Sequence, residues 1–299
     1  MSNQTQSNSS GLPHPEWYKV AFSGGKERMA MRKLLRDSRL HTVCESARCP
    51  NICDCWKRQT ATFMILGEHC TRNCRFCAVK HGKPAAPDPE EPERIAEAVE
   101  ALKLRYVVIT CVTRDDLPDG GAAAMGACIR AIRQRCPDCK VEVLCSDYAG
   151  NEEALQLVLQ EKPQVFGHNL ETVRRLSADI RPQADYERSL HMLASAARRA
   201  QQEGALSKIK SGLMLGLGES EQEVRETLTD LCNCGVQIVT FGQYLQPSQE
   251  QVPVQRYVSP TEFANWKQIA EKDYGFCMAV AGPLIRSSYL AEEAYLAAE

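Results

Sequence analysis

The sequence has no apolar run long enough to cross a bilayer. Runs such as "YVVITCV" at 106–112 fall far short of the roughly 20 residues a spanning helix needs. It also lacks a dominant charge. Its 36 Lys and Arg against 38 Asp and Glu leave a formal net charge of -2, which argues against a broadly basic surface for nucleic acid or anionic lipid. The opening "MSNQTQSNSSGLPHPEWYK" has neither the apolar core of a signal peptide nor the arginines of a transit peptide. Residues 1–25 are therefore expected to be a flexible polar tail. The protein is expected to be cytoplasmic, with no nucleic-acid or membrane partner. Length and a 43% hydrophobic fraction allow one large α/β domain or two smaller ones.

Cysteine, by contrast, is abundant. There are fifteen, and seven of them (Cys44, Cys49, Cys53, Cys55, Cys70, Cys74 and Cys77) crowd positions 44–77. An odd count, no signal peptide and a chain too long to need staples all argue against a disulfide framework. Clustered thiols in a reducing compartment point instead to metal binding or redox chemistry.

Beyond the tail, "KERMAMRKLLRDSRL" (26–40) has the apolar spacing of a basic amphipathic helix, and the first cysteine group is expected in a loop. Seven β-rich segments then alternate with helical ones, starting at "TATFMIL" (60–66) and ending at "FCMAVAG" (276–282), with a closing helix at 288–299. Such alternation requires a parallel sheet. Seven units in this length favour a β/α barrel, complete or partial, over an open doubly wound sheet. The expected fold is a partial (β/α)6-7 TIM-like barrel, its site at the carboxyl ends of the strands.

Cys70, Cys74 and Cys77 form C-x3-C-x2-C directly after the first strand. Three thiols are one short of a closed zinc site. On a four-iron cluster they would leave one iron open to a substrate or cofactor. This spacing, with Phe76 before the last cysteine, resembles the signature of radical S-adenosylmethionine (SAM) enzymes. In that superfamily the open iron is chelated by SAM, and cleavage of the sulfonium yields a 5′-deoxyadenosyl radical.

"CESARCPNICDCW" followed by "TATFMILGEHCTRNCRFCAV" resembles the lipoyl synthase family, as do "VVITCVTRDDLPDGGA", "HNLETV", "DIRPQADYERSL", "KSGLMLGLGE", "GQYLQPS" and "GPLIRSSY", in the same order. The resemblance runs from about Lys26 to Ala294. It implies that Cys44, Cys49 and Cys55 hold an auxiliary [4Fe–4S] cluster, with a serine of "RSSY" (286–289) as fourth ligand. That role is carried to Ser288, with Ser287 as second choice. Cys53, where the family usually has glycine, is then left over. The implied organisation is an N-terminal extension over 26–59 carrying the auxiliary ligands, a barrel over 60–282 and a C-terminal segment over 283–299. The implied reaction is insertion of two sulfur atoms, taken from the auxiliary cluster, at carbons 6 and 8 of a protein-bound octanoyl chain. The implied partners are octanoylated lipoyl-carrier proteins (2-oxoacid dehydrogenase E2 lipoyl domains and the glycine cleavage H protein), an electron donor such as ferredoxin or flavodoxin, and an iron–sulfur carrier for cluster repair. Cys111, Gly167 and Phe241 depart from the family's usual residues, and none is a proposed ligand.

Other residues admit two readings each. Asn169 and Glu171 end a strand and suit either the ribose hydroxyls of SAM or a helix N-terminus. "GLMLGLGE" (212–219) lacks Rossmann or P-loop spacing. Its Gly216 and Glu219 suit either SAM contact, as the superfamily resemblance suggests, or tight packing. Arg181 and Arg286 suit carboxylate pairing, in a site or in a salt bridge. "RDDLPDGG" does not have EF-hand spacing and reads as a barrel-top loop, and "CPDC" (136–139) falls between a helix and a strand.

Overall fold

The structure is a computed structural model that describes residues 15–18, 25–57, 60, 62–202 and 207–298. Before the main sheet come α1 (Lys26–Asp37), β1 (His41–Thr42), α2 (Val43–Ser46) and α3 (Ile52–Lys57). The alternating region opens with β2 (Thr62–Ile65), the short β3 (His69–Cys70) and β4 (Lys80–His81), then α4 (Glu91–Ala101). It continues through β5 (Tyr106–Cys111), α5 (Ala122–Arg135), β6 (Lys140–Leu144), α6 (Glu152–Leu159) and β7 (Val165–Gly167). After it come α7 (Arg174–Ile180), α8 (Tyr186–Gln202), β8 (Lys208–Leu215), α9 (Glu221–Asn233) and β9 (Ile238–Gln243). The chain closes with α10 (Pro260–Lys272), β10 (Met278–Gly282) and α11 (Ala291–Ala298).

All seven expected strands are present, as β2 and β5 to β10, and each pairs in parallel with the next. β1 adds an antiparallel eighth at the β2 edge. Among the described residues β1 and β10 are not joined, so the sheet stays open, as a partial barrel requires. Strands β2 and β9 are buried at every position. That is the pattern of a parallel sheet covered on both faces. Ser220 caps α9 in a reciprocal pair with Glu223, and Ser259 caps α10 ahead of Pro260.

One expectation needs correction. The first cysteine group is not in a loop: Cys44 sits in α2, and Cys53 and Cys55 in α3. Thr42 caps α2 through the Glu45 N–H, and α3 is pinned by Trp56, which is 1% exposed. Truncating a tryptophan buried this deeply costs about 3–5 kcal/mol. Of the segment expected as a tail, residues 15–18 and 25 are described, and Trp17 there lies edge-on to Tyr257 with ring centroids 6.3 Å apart. Residues 1–14 and 19–24, and the end of the expected helix at 203–204, lie outside the described residues.

The C-terminal segment packs back onto the sheet. It approaches the backbone of β9 because Gly242 has no side chain: a Cβ there would stand 2.1 Å from the Ile285 carbonyl oxygen. Further on, α11 packs Ala291 and Tyr295 onto Tyr106, Val108 and Val165.

Candidate functional site

The residues singled out in the sequence gather in two places, a cavity beside the first residues of β2 and β5 and the loop at the carboxyl end of β2. The first is a cavity whose walls include Cys44, Cys49, Cys55 and Ser288, with Asn51 and Arg286 beside them. Two distant parts of the chain build it, and polar contacts fasten them together. Asn51 donates to the Leu284 carbonyl at 2.6 Å, and the Tyr289 hydroxyl lies 3.0 Å from Asp54. Burial pushes the Cys44 thiol up to about 12, with the neighbouring Cys49 and Cys55 adding to the rise. Burial raises Cys49 too, and the Arg286 guanidinium opposes it. Three thiols, that of Cys44 buried and those of Cys49 and Cys55 partly so, and a hydroxyl around one cavity form a donor set that suits an electropositive group. Cys53 is buried at 8% exposure and is not among the cavity's lining residues.

The second place is the loop after β2. The spacing from Cys74 to Cys77 is set by a turn in which the Cys77 N–H donates to the Cys74 carbonyl at 3.0 Å. The Arg72 N–H points to the Cys70 sulfur and the Val79 N–H to the Cys77 sulfur, each at 3.4 Å. Burial pushes Cys74 up to about 11, against the charge of Arg181, and Cys77 up to about 12. The loop is sewn to its surroundings. Thr71 bonds to Thr113, Arg75 to Ile180, and Val252 to Arg75. Phe76 packs on the cluster of Ile180, Leu217, Tyr244, Val252 and Val254.

The strongest brace on this loop was not legible in the sequence. Arg72, whose side chain is 4% exposed, reaches Asp115 at 2.7 Å and Asp147 at 2.6 Å, and Asp147 also holds Arg188 at 2.7 Å. Burial alone would raise Asp147, yet its hydrogen bonds and charge pairing with Arg72 and Arg188 hold the carboxyl well below its usual range. Removing one partner from such a buried pair costs about 3–5 kcal/mol. The three acids of "RDDLPDGG" are all engaged: Asp115 with Arg72, Asp116 with Arg114, and Asp119 with the first N–H groups of α5.

Around the loop stand the other candidates. Asn169 is 9% exposed and follows β7. Glu171 holds a φ of 68°, in the left-handed region, which costs about 1–3 kcal/mol for such a residue. Burial raises the Glu171 carboxyl, while Arg181 and a hydrogen bond from Asn169 pull it back. Arg181 is 6% exposed and donates to the Leu170 carbonyl at 2.8 Å. No surface salt bridge is needed to explain it. Gly216 and Glu219 form a self-contained turn. The two Glu219 oxygens accept from the Gly216 and Leu217 N–H groups at 2.7 and 2.8 Å, and a Cβ on Gly216 would stand 2.3 Å from Gln243 Nε2. "CPDC" is a turn closed by the Cys139 N–H on the Cys136 carbonyl, where burial pushes Cys139 up to about 12.

Among the described residues, no three His, Cys, Asp or Glu side chains converge as ligands of a single ion. A polynuclear cluster puts each thiolate on a different iron, so its ligands do not meet at one point. A wider groove between α9 and α10, lined by Arg225, Trp266 and their neighbours, contains no cysteine.

Residues 64–231 match the model of the radical SAM superfamily. The chain is 50% identical over 280 residues to a lipoyl synthase of Shouchella clausii (strain KSM-K16), covering 93% of this chain and 89% of that one. It is 52% identical over 283 residues to a lipoyl synthase of Methylococcus capsulatus (strain ATCC 33009 / NCIMB 11132 / Bath), covering 94% of this chain and 86% of that one. Its fold resembles that of HydG, a maturase of the [FeFe]-hydrogenase, with a TM-score of 0.58 and 16% identity over 79% of this chain and 54% of that one. By these matches, the chain belongs to the lipoyl synthase family within the radical SAM superfamily.

Proposed function

We propose that this protein is a cytoplasmic sulfurtransferase that inserts two sulfur atoms at carbons 6 and 8 of a protein-bound octanoyl-lysine, using SAM and two [4Fe–4S] clusters. The observation that carries this reading is the cavity shared by Cys44, Cys49, Cys55 and Ser288, distinct from the loop of Cys70, Cys74 and Cys77. When bound, one cluster with SAM supplies one-electron reduction and hydrogen-atom abstraction, and the other supplies sulfide.

The chain's own residues bind, orient and shield. Cys70, Cys74 and Cys77 hold the first cluster on a loop that Arg72 and Asp147 keep rigid. Asn169 and Glu171 would hold the ribose hydroxyls of SAM, and Arg181 would balance the negative charge gathered there, as it already does for Cys74 and Glu171. Phe76 covers the loop on its apolar side. Gly216 and Glu219 serve as a braced turn that gives SAM a backbone wall. On the auxiliary side, residues 26–59 bring three thiols and residues 283–299 bring Ser288, beside the barrel formed by 60–282. A hydroxyl is a harder iron ligand than a thiolate, so that corner is the one suited to open. Closing the site with the Asn51 and Tyr289 contacts excludes water from the reacting carbons.

The octanoyl chain would arrive on a carrier such as an E2 lipoyl domain or the glycine cleavage H protein. Electrons would come from a ferredoxin or flavodoxin, and an iron–sulfur carrier would restore the auxiliary cluster. Anaerobic metal analysis tests the reading: about eight iron and eight sulfide per chain support it, whereas about two zinc would refute it.

A further inference from the structure

The tetrapeptide over 286–289 faces two sites at once. Ser288 lines the auxiliary cavity, whereas the neighbouring Ser287 hydroxyl turns the other way and lies 3.1 Å from Asn169 Oδ1. Asn169 sits in a tight place, for a Cβ on Gly212 would stand 3.0 Å from that same Oδ1. A side-chain amide has one accepting end and one donating end, and each must find its complement when buried. The Asn169 amide also bonds the Glu171 side chain, in the sense that favours the carboxylate, so its NH2 end faces Glu171. Its oxygen then needs a donor on the opposite side. Ser287 supplies it. Arg286 fixes the approach, with Nη1 donating to the Gln243 carbonyl at 3.2 Å.

We propose that Ser287 is a positioning residue for SAM: its hydroxyl locks the Asn169 amide, so the segment that delivers Ser288 to the auxiliary cavity also sets how tightly the other site holds SAM. This rests on the reading of Asn169 and Glu171 as the SAM side of the site. Ser287 itself touches neither SAM nor a cluster. Its removal leaves a buried acceptor without a donor and an amide free to turn, while every proposed cluster ligand stays in place.

The test is a SAM titration of the reduced, cluster-loaded full chain, followed by the SAM-induced change in its EPR spectrum and by equilibrium dialysis, with iron counted on the same samples. Ser287→Ala should weaken SAM binding about three- to tenfold, the range for one net hydrogen bond, and keep the parent's iron content. Ser287→Thr, which keeps the hydroxyl, should restore the parent's affinity. Ser287→Ala binding SAM like the parent would overturn the proposal. So would loss of half the iron in that variant, since Ser287 would then be the auxiliary ligand. A parent that holds iron but shows no SAM-dependent change would overturn the functional reading, and this inference with it.

Discussion

Ser287 and Ser288 are adjacent but serve different neighbours: the first donates to Asn169 Oδ1 at 3.1 Å, and the second lines the cavity of Cys44, Cys49 and Cys55. Their identical chemistry hides this in the sequence. Ser288 lines the cavity, and the oxygen-ligand role proposed for it has a direct test. Ser288→Ala should therefore still cleave SAM, because the thiols of the other site are untouched, but should form little or no sulfur-inserted product. Product analysis by mass spectrometry checks this. Full lipoyl formation by Ser288→Ala with Ser287 intact would remove Ser288 from the site.

Cys74→Ala tests the other site. Only its loop is altered, so about four irons should remain, and 5′-deoxyadenosine formation should vanish. Chromatographic detection of 5′-deoxyadenosine at the parent's rate would show that the radical chemistry lies elsewhere.

Cys53 should be dispensable as a ligand, since it is buried at 8% exposure outside the lining of the cavity that takes its neighbours Cys49 and Cys55. Cys53→Gly should keep both clusters and sulfur insertion. A glycine inside α3 costs about 1 kcal/mol, so a small drop in melting temperature is the expected side effect. Iron falling to half the parent's value would reassign the ligands.

His168 gives the protein an acid-sensitive element. Burial first, and the charge of Arg181 second, lower its pKa to about 4, although its Nδ1 contacts the Cys145 carbonyl at 2.9 Å. Between an unfolded value of about 6.5 and that folded value, the unfolded chain binds more protons. The stability is complete above pH 6.5 and is lost as pH falls toward 4, by an amount on the order of 3 kcal/mol. His168→Gln should flatten the fall in melting temperature over that window. A parallel fall in parent and variant would assign the acid sensitivity to other groups.

Much of the fold was legible because the physics is local. The strands β2 and β5 to β10 are short apolar, β-branched runs set between amphipathic segments, and each was found where its pattern placed it. The helices α2 and α3 were not legible. At four and six residues they are too short for periodicity, and they stand on the Thr42 cap and the burial of Trp56. The thiol spacing pointed to both cysteine groups because ligands near in sequence are near in space. Arg72 and Asp147 escaped notice because their pairing joins two loops far apart in the chain, and "TRN" alone does not disclose where its arginine will turn. Glu219 and Gly216 show the converse: a glycine-rich segment invites a ligand reading, yet the N–H groups that Glu219 accepts from, and the positive φ and absence of room for a Cβ at Gly216, already explain both residue types.

The central claim is that this chain donates sulfur as well as generating radicals, and one measurement addresses it directly. The reconstituted protein is incubated anaerobically with SAM, a low-potential reductant and an octanoyl-lysine peptide, and the peptide is weighed by mass spectrometry. The predicted result is a peptide that has gained two sulfur atoms, with one 5′-deoxyadenosine formed per sulfur inserted. SAM cleavage that leaves the peptide without sulfur, in protein carrying both clusters, would contradict it.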